Sequence, residues 1–205
     1  RGFCSGADLK MLATEPGVAE PVVFKSFLRQ INELILRIMR LEKPVIAAVN
    51  GPATGAGCNV VLACDIIYMA HEAYLSEIFV KRGLVPDFGG LYLLPRYVGL
   101  AKAKELIFTG EKIQGDEALK LGIANRVLPL DQLLPGAMKF AKQMAAGPTV
   151  AIALAKLGVH RGLEGGIDAI LEYEALAQSL IRTTGDAHEA ISAFLEKREP
   201  KFQGK

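Results

Sequence analysis

The sequence has no tryptophan, only three cysteines and only three histidines in 205 residues. Cys4, Cys58 and Cys64 are an odd set with no metal-ligand spacing to His71, His160 or His188. That excludes a zinc motif and a disulfide framework, and it fits reduced thiols in a cytoplasmic protein. No apolar run approaches the ~20 residues that cross a bilayer, because Val45–Val49 and Ile66–Ala70 are strand-sized. Charge of one sign is also missing. The 24 basic and 22 acidic residues leave a net +2, with no basic stripe and no aromatic-basic interleaving. Neither nucleic acid nor membrane is expected as a partner.

What is abundant is apolar residues and glycine. A hydrophobic content of 51% and 21 glycines are enough for one substantial core with a helical appendage. Phe24, Phe27, Leu28, Ile31, Leu34, Ile35, Ile38 and Leu41 recur at helical spacing, with Lys25, Arg29 and Glu33 between them. They predict an amphipathic helix that ends at Lys43-Pro44 and covers a sheet. Val45–Val49 and Ile66–Ala70 are continuous apolar runs rich in β-branched residues, as expected of parallel strands buried on both faces. After Gly99 the pattern is helical, over Ala101–Phe108, Asp116–Leu121, Leu133–Ala145, Thr149–Val159, Ile167–Ile181 and Ala187–Lys197.

Between the first strand and the apolar stretch Val60–Ala63 lies Asn50-Gly-Pro-Ala-Thr-Gly-Ala-Gly-Cys58, a strand-turn-helix junction. Gly55 and Gly57 clear side chains from a helix start whose first amides have no internal acceptor, so a ligand oxygen can approach the backbone. Such a start is suited to holding an oxyanion. A glycine-rich turn alone more often serves tight strand-helix packing.

Three segments in order carry a resemblance. The chain opens Arg-Gly-Phe-Cys-Ser-Gly-Ala-Asp-Leu-Lys, continues through Lys43-Pro-Val-Ile-Ala-Ala-Val-Asn-Gly51, the turn at 52–58 and Cys64-Asp-Ile-Ile, and then has Leu84-Val-Pro-Asp-Phe-Gly-Gly and Leu94-Pro-Arg-Tyr-Val-Gly. This resembles the crotonase superfamily, the enoyl-CoA hydratase/isomerase proteins, and Ala193-Phe-Leu-Glu-Lys-Arg resembles that family's last helix. The resemblance implies an α/β spiral of ββα units over residues 1–140 and a helical trimerisation region over 141–205. It also implies a homotrimer or hexamer, an acyl-CoA thioester as partner, and no cofactor beyond the coenzyme A carried by the substrate. Arg1 already falls inside the first motif, so the chain reads as N-terminally incomplete.

By motif position the two backbone donors to the thioester oxygen are Ala7, between Gly6 and Asp8, and Ala56, between Gly55 and Gly57. Losing one such donor typically costs roughly 2.7–4 kcal/mol of transition-state stabilisation. Asp8 is expected to order the Ala7 loop. Lys10, with Phe194 and Lys197 from a neighbouring subunit, corresponds to positions around the CoA nucleotide, solvated charge and packed aromatic being the alternative. The acyl pocket is expected to draw on Met11–Pro21.

Two departures decide the subclass. Family hydratases carry one glutamate just after the glycine turn and a second in a segment like F-G-x-P-E; here those positions are Asn59 and Phe79, the latter fixed by the register of Ala73, Gly83 and Pro86. Asparagine can hold a water but has no titratable proton, and phenylalanine can do neither. Glu77 is read as a surface residue. Asp87 then becomes the candidate acid/base, with Leu84, Val85, Phe88 and Phe79 as apolar surroundings that raise its pKa. Capping of the following turn is its alternative role. Asp65 is read as a turn anchor and Cys58 as no nucleophile. The reading reached is an enoyl-CoA isomerase. Hydratase, hydrolase or dehalogenase chemistry on Asp87, and a non-catalytic acyl-CoA-binding subunit, stand as alternatives.

Overall fold

The structure is a computed structural model that describes residues 2–14 and 20–205. Its chain divides into two compact units, Arg1–Met39 with Val45–Ala137, and Arg40–Pro44 with Met138–Lys205.

The first unit opens with α1 (Leu9–Thr14) and α2 (Pro21–Arg40). Proline at the first position of α2 suits a helix start, where its missing N–H has no acceptor to lose. In α2 one residue, Ile35, is fully buried. Its Cγ2 lies 3.6 Å from where a Cβ on Gly89 would stand. The expectation that α2 covers the sheet therefore narrows to a seat on the Gly89 turn, while Val22, Val23 and Leu34 stay exposed.

Strands β1 (Ile46–Val49), β3 (Ile66–Ala70) and β6 (Arg126–Leu128) form one parallel sheet in the order β1-β3-β6, with Ile46 opposite Ile66 and Tyr68 opposite Arg126. Just before β1, Val45 N donates to Asp65 Oδ2 at 2.7 Å and Val45 O accepts from Asp65 N at 2.9 Å, so Asp65 anchors the chain there. A second sheet pairs β2 (Ala53–Thr54) parallel to β4 (Tyr74–Ser76), and β4 antiparallel to β5 (Ile113–Gln114). A parallel bridge from Cys4 to Ala53 ties the chain start to that sheet. Val49, Ala53, Cys58, Val61, Met69, Leu75 and Leu94 have no exposed surface and form the core.

Helix α3 (Ala56–Leu62) follows β2 directly, and a 3-10 helix (Ile78–Arg82) follows β4. Helix α4 runs from Gly90 to Thr109 with a break at Gly99, φ 75°. The sequence expectation began this helix at Ala101. Pro95 and Gly99 read as breakers, but the helix runs through Pro95, which supplies no N–H to the carbonyl of Leu91, and breaks only at Gly99. The unit closes through α5 (Gly115–Lys120), β6 and the start of α6 (Leu130–Ala145).

The second unit holds the rest of α6, then α7 (Thr149–Gly162), α8 (Ile167–Ile181) and α9 (Gly185–Leu195). Helices α7 and α8 pack where Gly158 lets the Tyr173 ring approach, and Tyr173 OH donates to Leu154 O at 2.7 Å. Thr184 caps α9 by accepting from Ala187 N. Among the described residues no helix is long and apolar enough to cross a membrane.

The tightest constraint in the first unit is at Gly57. A Cβ there would stand 2.5 Å from Cys4 O and 2.7 Å from Cys4 Cβ. Gly57→Ala is expected to lose about 1–3 kcal/mol of stability, as overpacking against backbone does. Gly162→Ala, at the end of α7, where an added Cβ makes only ordinary contacts with Ile170 at 3.6 and 3.8 Å, serves as control. Denaturant melts of the two check this, and equal midpoints would refute the constraint.

Candidate active site

The two amides expected to bind an oxyanion lie on touching loops. Cys4 O accepts from Thr54 N at 2.9 Å, and Thr54 Oγ1 donates to Ser5 O at 2.9 Å. These bonds lay residues 4–7 along the β2–α3 junction. Gly6 has φ 87°, and a Cβ on it would be 2.8 Å from Thr54 O and 3.5 Å from Ala56 N. Glycine at 6 is thus what lets the Ala7 loop close on the start of α3. On the other side Gly55, φ 56°, precedes Ala56, and Gly55 N donates to Ser76 O at 2.9 Å. Ala56 N, at the first position of α3, has no intrahelical acceptor. Neither it nor Ala7 N donates to a protein group among the described residues. Phe79 is buried with its Cζ 3.7 Å from where a Gly55 Cβ would stand. A phenyl ring therefore packs beneath the turn.

The Asp87 turn is built differently from the capping alternative. Helix α4 starts at Gly89, φ 81°, with no side-chain cap. The Asp87 main-chain carbonyl, not its carboxylate, accepts from Gly90 N at 3.0 Å and from Asn59 Nδ2 at 2.9 Å. Phe88 is held at φ 47°, a left-handed conformation that costs a non-glycine residue roughly 1–2 kcal/mol. The carboxylate is left over from these bonds: Asp87 Oδ1 is buried without a partner. Burial pushes its pKa above the ordinary carboxylate value. Of the apolar surroundings read from sequence, Leu84 and Val85 face outward, 49% and 69% exposed, so the desolvation comes from elsewhere. Pro86 is buried and Phe88 partly so.

Glu77 corrects the sequence reading most sharply. It is 1% exposed, and neither carboxylate oxygen has a hydrogen-bond partner among the described residues. Burial first, and then the charge of Asp87, push its pKa up to about 7, while the Asn59 amide and the Cys58 thiol beside it act the other way. Asn59 is itself fully buried, and its Oδ1 too is without a partner. Its amide fills the space that glycine leaves at 90, where a Cβ would stand 2.6 Å from Nδ2. Cys58 is fully buried, and burial together with Glu77 raises its thiol pKa well above the ordinary value. A thiol so held is a poor nucleophile. One signal for Glu77 was available in the chain: it follows the run Tyr74–Ser76 on the alternation that buries Leu75.

The remaining expected residues scatter. Asp8 Oδ1 accepts from Lys10 N at 2.9 Å at the start of α1, with Lys10 exposed. Phe194, 82% exposed, and Lys197, φ 54°, belong to the second unit. Of Met11–Pro21, residues 15–19 lie outside the described residues, and α1 and the first residue of α2 account for part of the rest. His71 is exposed against Asp116, with Nδ1 3.1 Å from Oδ1.

A parallel α/β layer whose β2–α3 junction exposes helix-start amides, followed by a run of helices, is the crotonase-like architecture. Residues 1–205 match the enoyl-CoA hydratase/isomerase family throughout. The chain is 38% identical over 205 residues to the 1,2-epoxyphenylacetyl-CoA isomerase of Escherichia coli K12, covering 100% of this chain and 78% of that protein. It is 37% identical over 199 residues to the short-chain-enoyl-CoA hydratase of Clostridium acetobutylicum, covering 97% and 75%. Among solved structures, enoyl-CoA hydratase from Bacillus anthracis superposes with a TM-score of 0.91 at 34% identity, over 99% of this chain and 77% of that one. An enoyl-CoA hydratase from Polaromonas sp. JS666 gives 0.93 at 32%, over 98% and 78%. The chain belongs to the enoyl-CoA hydratase/isomerase family, the crotonase superfamily, and is an acyl-CoA enzyme of that class.

The buried Glu77 has a consequence for stability. Its folded pKa of about 7 stands above the ordinary 4.5, so the folded state binds the proton more tightly than the unfolded state. Stability is highest below pH 4.5 in this respect and is lost as pH rises through about 7, by about 3 kcal/mol. Glu77→Gln, which cannot ionise, is expected to lack this loss. Denaturant melts of both proteins at pH 5 and pH 8 check it, and an unchanged difference between the two would contradict the assignment.

Proposed function

We propose that the protein is an enoyl-CoA isomerase that moves a carbon-carbon double bond along an acyl-CoA thioester, with Asp87 as acid/base and the Ala7 and Ala56 amides as oxyanion hole. The observation that carries this reading is the Asp87 turn. Its carbonyl starts α4 and accepts from Asn59, so its carboxylate, desolvated and with one buried unpartnered oxygen, is free for chemistry. The ionised carboxylate takes a proton from the α- or γ-carbon of the acyl group. The electron pair moves into the thioester carbonyl, whose oxygen the two amides hold, and the bond shifts. Asp87 then returns the same proton at the other end of the conjugated system, so nothing is gained or lost. One carboxylate suffices for this.

Asn59 and Phe79 support the choice of isomerisation over hydration, because neither can activate water as a base. One observation favours the hydratase reading instead: Glu77 brings a second carboxyl beside Asn59. Gly6, Gly55 and Gly57 let Thr54, Phe79 and Cys4 pack against the two loops that carry the amides, and Asp8 orders the Ala7 loop. Lys10, Phe194 and Lys197 belong with the CoA nucleotide in this reading, the last two supplied by a neighbouring subunit. Exposed Leu176, Leu180, Ile191, Phe194 and Leu195 on α8 and α9 support assembly of the second unit into a trimer or hexamer.

Asp87→Asn is expected to bind acyl-CoA normally and to lose about 10²–10⁴-fold in kcat. Mass spectrometry and absorbance with 3-enoyl-CoA separate the readings. Bond migration without mass change, lost in the variant, supports the isomerase. Gain of one water supports the hydratase. Full activity in the variant would remove Asp87 from the chemistry.

A further inference from the structure

Four polar atoms at the Asp87 turn are buried with no hydrogen-bond partner among the described residues: both carboxylate oxygens of Glu77, Oδ1 of Asn59 and Oδ1 of Asp87. They are contributed by three separate segments, the end of β4, the first turn of α3 and the turn before α4. Asn59 is the physical link, with one hydrogen of its Nδ2 given to the Asp87 carbonyl and its amide beside Glu77. The titratable groups acting on Glu77 are Asp87 from the turn and Cys58 from α3, and both lack positive charge. Lys81, on the 3-10 helix that follows Glu77, has its Cε against Gly110. The Asn59 amide and the Cys58 thiol favour the charged form, but burial and the charge of Asp87 outweigh them; with no cation among the groups acting on it, the neutral acid is favoured.

We propose that Glu77 is a positioning residue for Asp87: in the working enzyme the two form a carboxyl pair bridged by Asn59, with the proton held on Glu77 and Asp87 ionised. The inference rests on the reading of Asp87 as the base. The neutral Glu77 leaves the Asn59 amide on the Asp87 carbonyl and keeps a second negative charge away from the enolate. Its own proton is not transferred; it stays on Glu77 through the cycle. When Glu77 ionises, it competes for the amide that holds the Asp87 turn and sets its charge against both the ionised base and the developing enolate. Turnover then falls.

The test is the pH profile of kcat/KM with 3-enoyl-CoA for the wild type, Glu77→Gln and Asp87→Asn, joined to infrared spectra of the protonated carboxyl carbonyl. The wild type is expected to lose about tenfold or more on the alkaline side, with a midpoint near the value of about 7 for Glu77. Glu77→Gln is expected to lack that limb, whatever its absolute rate. Persistence of the limb in Glu77→Gln overturns the proposal. Full turnover by Asp87→Asn instead defeats the assignment of the base, whereas a dead Asp87→Asn beside an unaltered Glu77→Gln profile defeats only the role of Glu77. Should Glu77→Gln fail to fold, the spectra decide. A carboxylic-acid band present at pH 6 in the wild type and in Asp87→Asn, disappearing as pH rises and doing so at lower pH in Asp87→Asn, supports the pair. Absence of the band at pH 6 refutes it.

Discussion

The approach of Cys4 to Gly57 is the contact on which the site depends. A side chain of any size at 57 would meet the Cys4 backbone, and without that contact the bridge to Ala53 and the bond to Thr54 could not hold residues 4–7 against the start of α3. Two chain segments some fifty residues apart are thereby brought side by side, as the proposed pair of amide donors requires. Backbone donors need no particular side chain, which is why alanine stands at both positions. What they need is small neighbours and fixed loops, supplied by Gly6, Gly55 and Gly57. Preorganisation of this kind is where an enzyme of this family gains most of its stabilisation of an enolate.

A second constraint runs through Asn59. The structure forces its amide into the room left by Gly90 and against the Asp87 carbonyl, so the turn before α4 is fixed through its main chain. That division of labour frees the carboxylate. The strained φ of Phe88 is tolerated because the surrounding bonds determine the turn more strongly than one residue's preference does. Asn59 and Phe79 stand where the hydratase pattern has its glutamates, and the structure buries two other carboxyl groups near Asn59, those of Glu77 and Asp87.

Much of the fold could be read from the chain because its signals are local. The runs Val45–Val49 and Ile66–Ala70, which contain β1 and β3, are apolar throughout, and Ile167–Ile181 is bounded by Gly166 and a polar stop, so periodicity and breakers place them. The first half of α4 was hidden because Pro95 and Gly99 carry breaker signals, which this helix accommodates with a kink. Glu77 was hidden for a different reason. A glutamate two positions from a motif site looks solvated in sequence, and its burial is decided by α3 and the Asp87 turn, neither of which is adjacent to it along the chain.

By itself the sequence determined the family, the order of the elements, the glycines of the β2–α3 turn and the absence of carboxylates at positions 59 and 79. These are properties of residue type at a spacing, and motifs record them directly. Only the tertiary structure decided that Asp87 caps through its carbonyl and not its carboxylate, that Leu84 and Val85 turn outward, and that Glu77 lies beneath Asn59. Each of these depends on which groups are desolvated together, and desolvation is set by segments distant in sequence that meet in the folded chain.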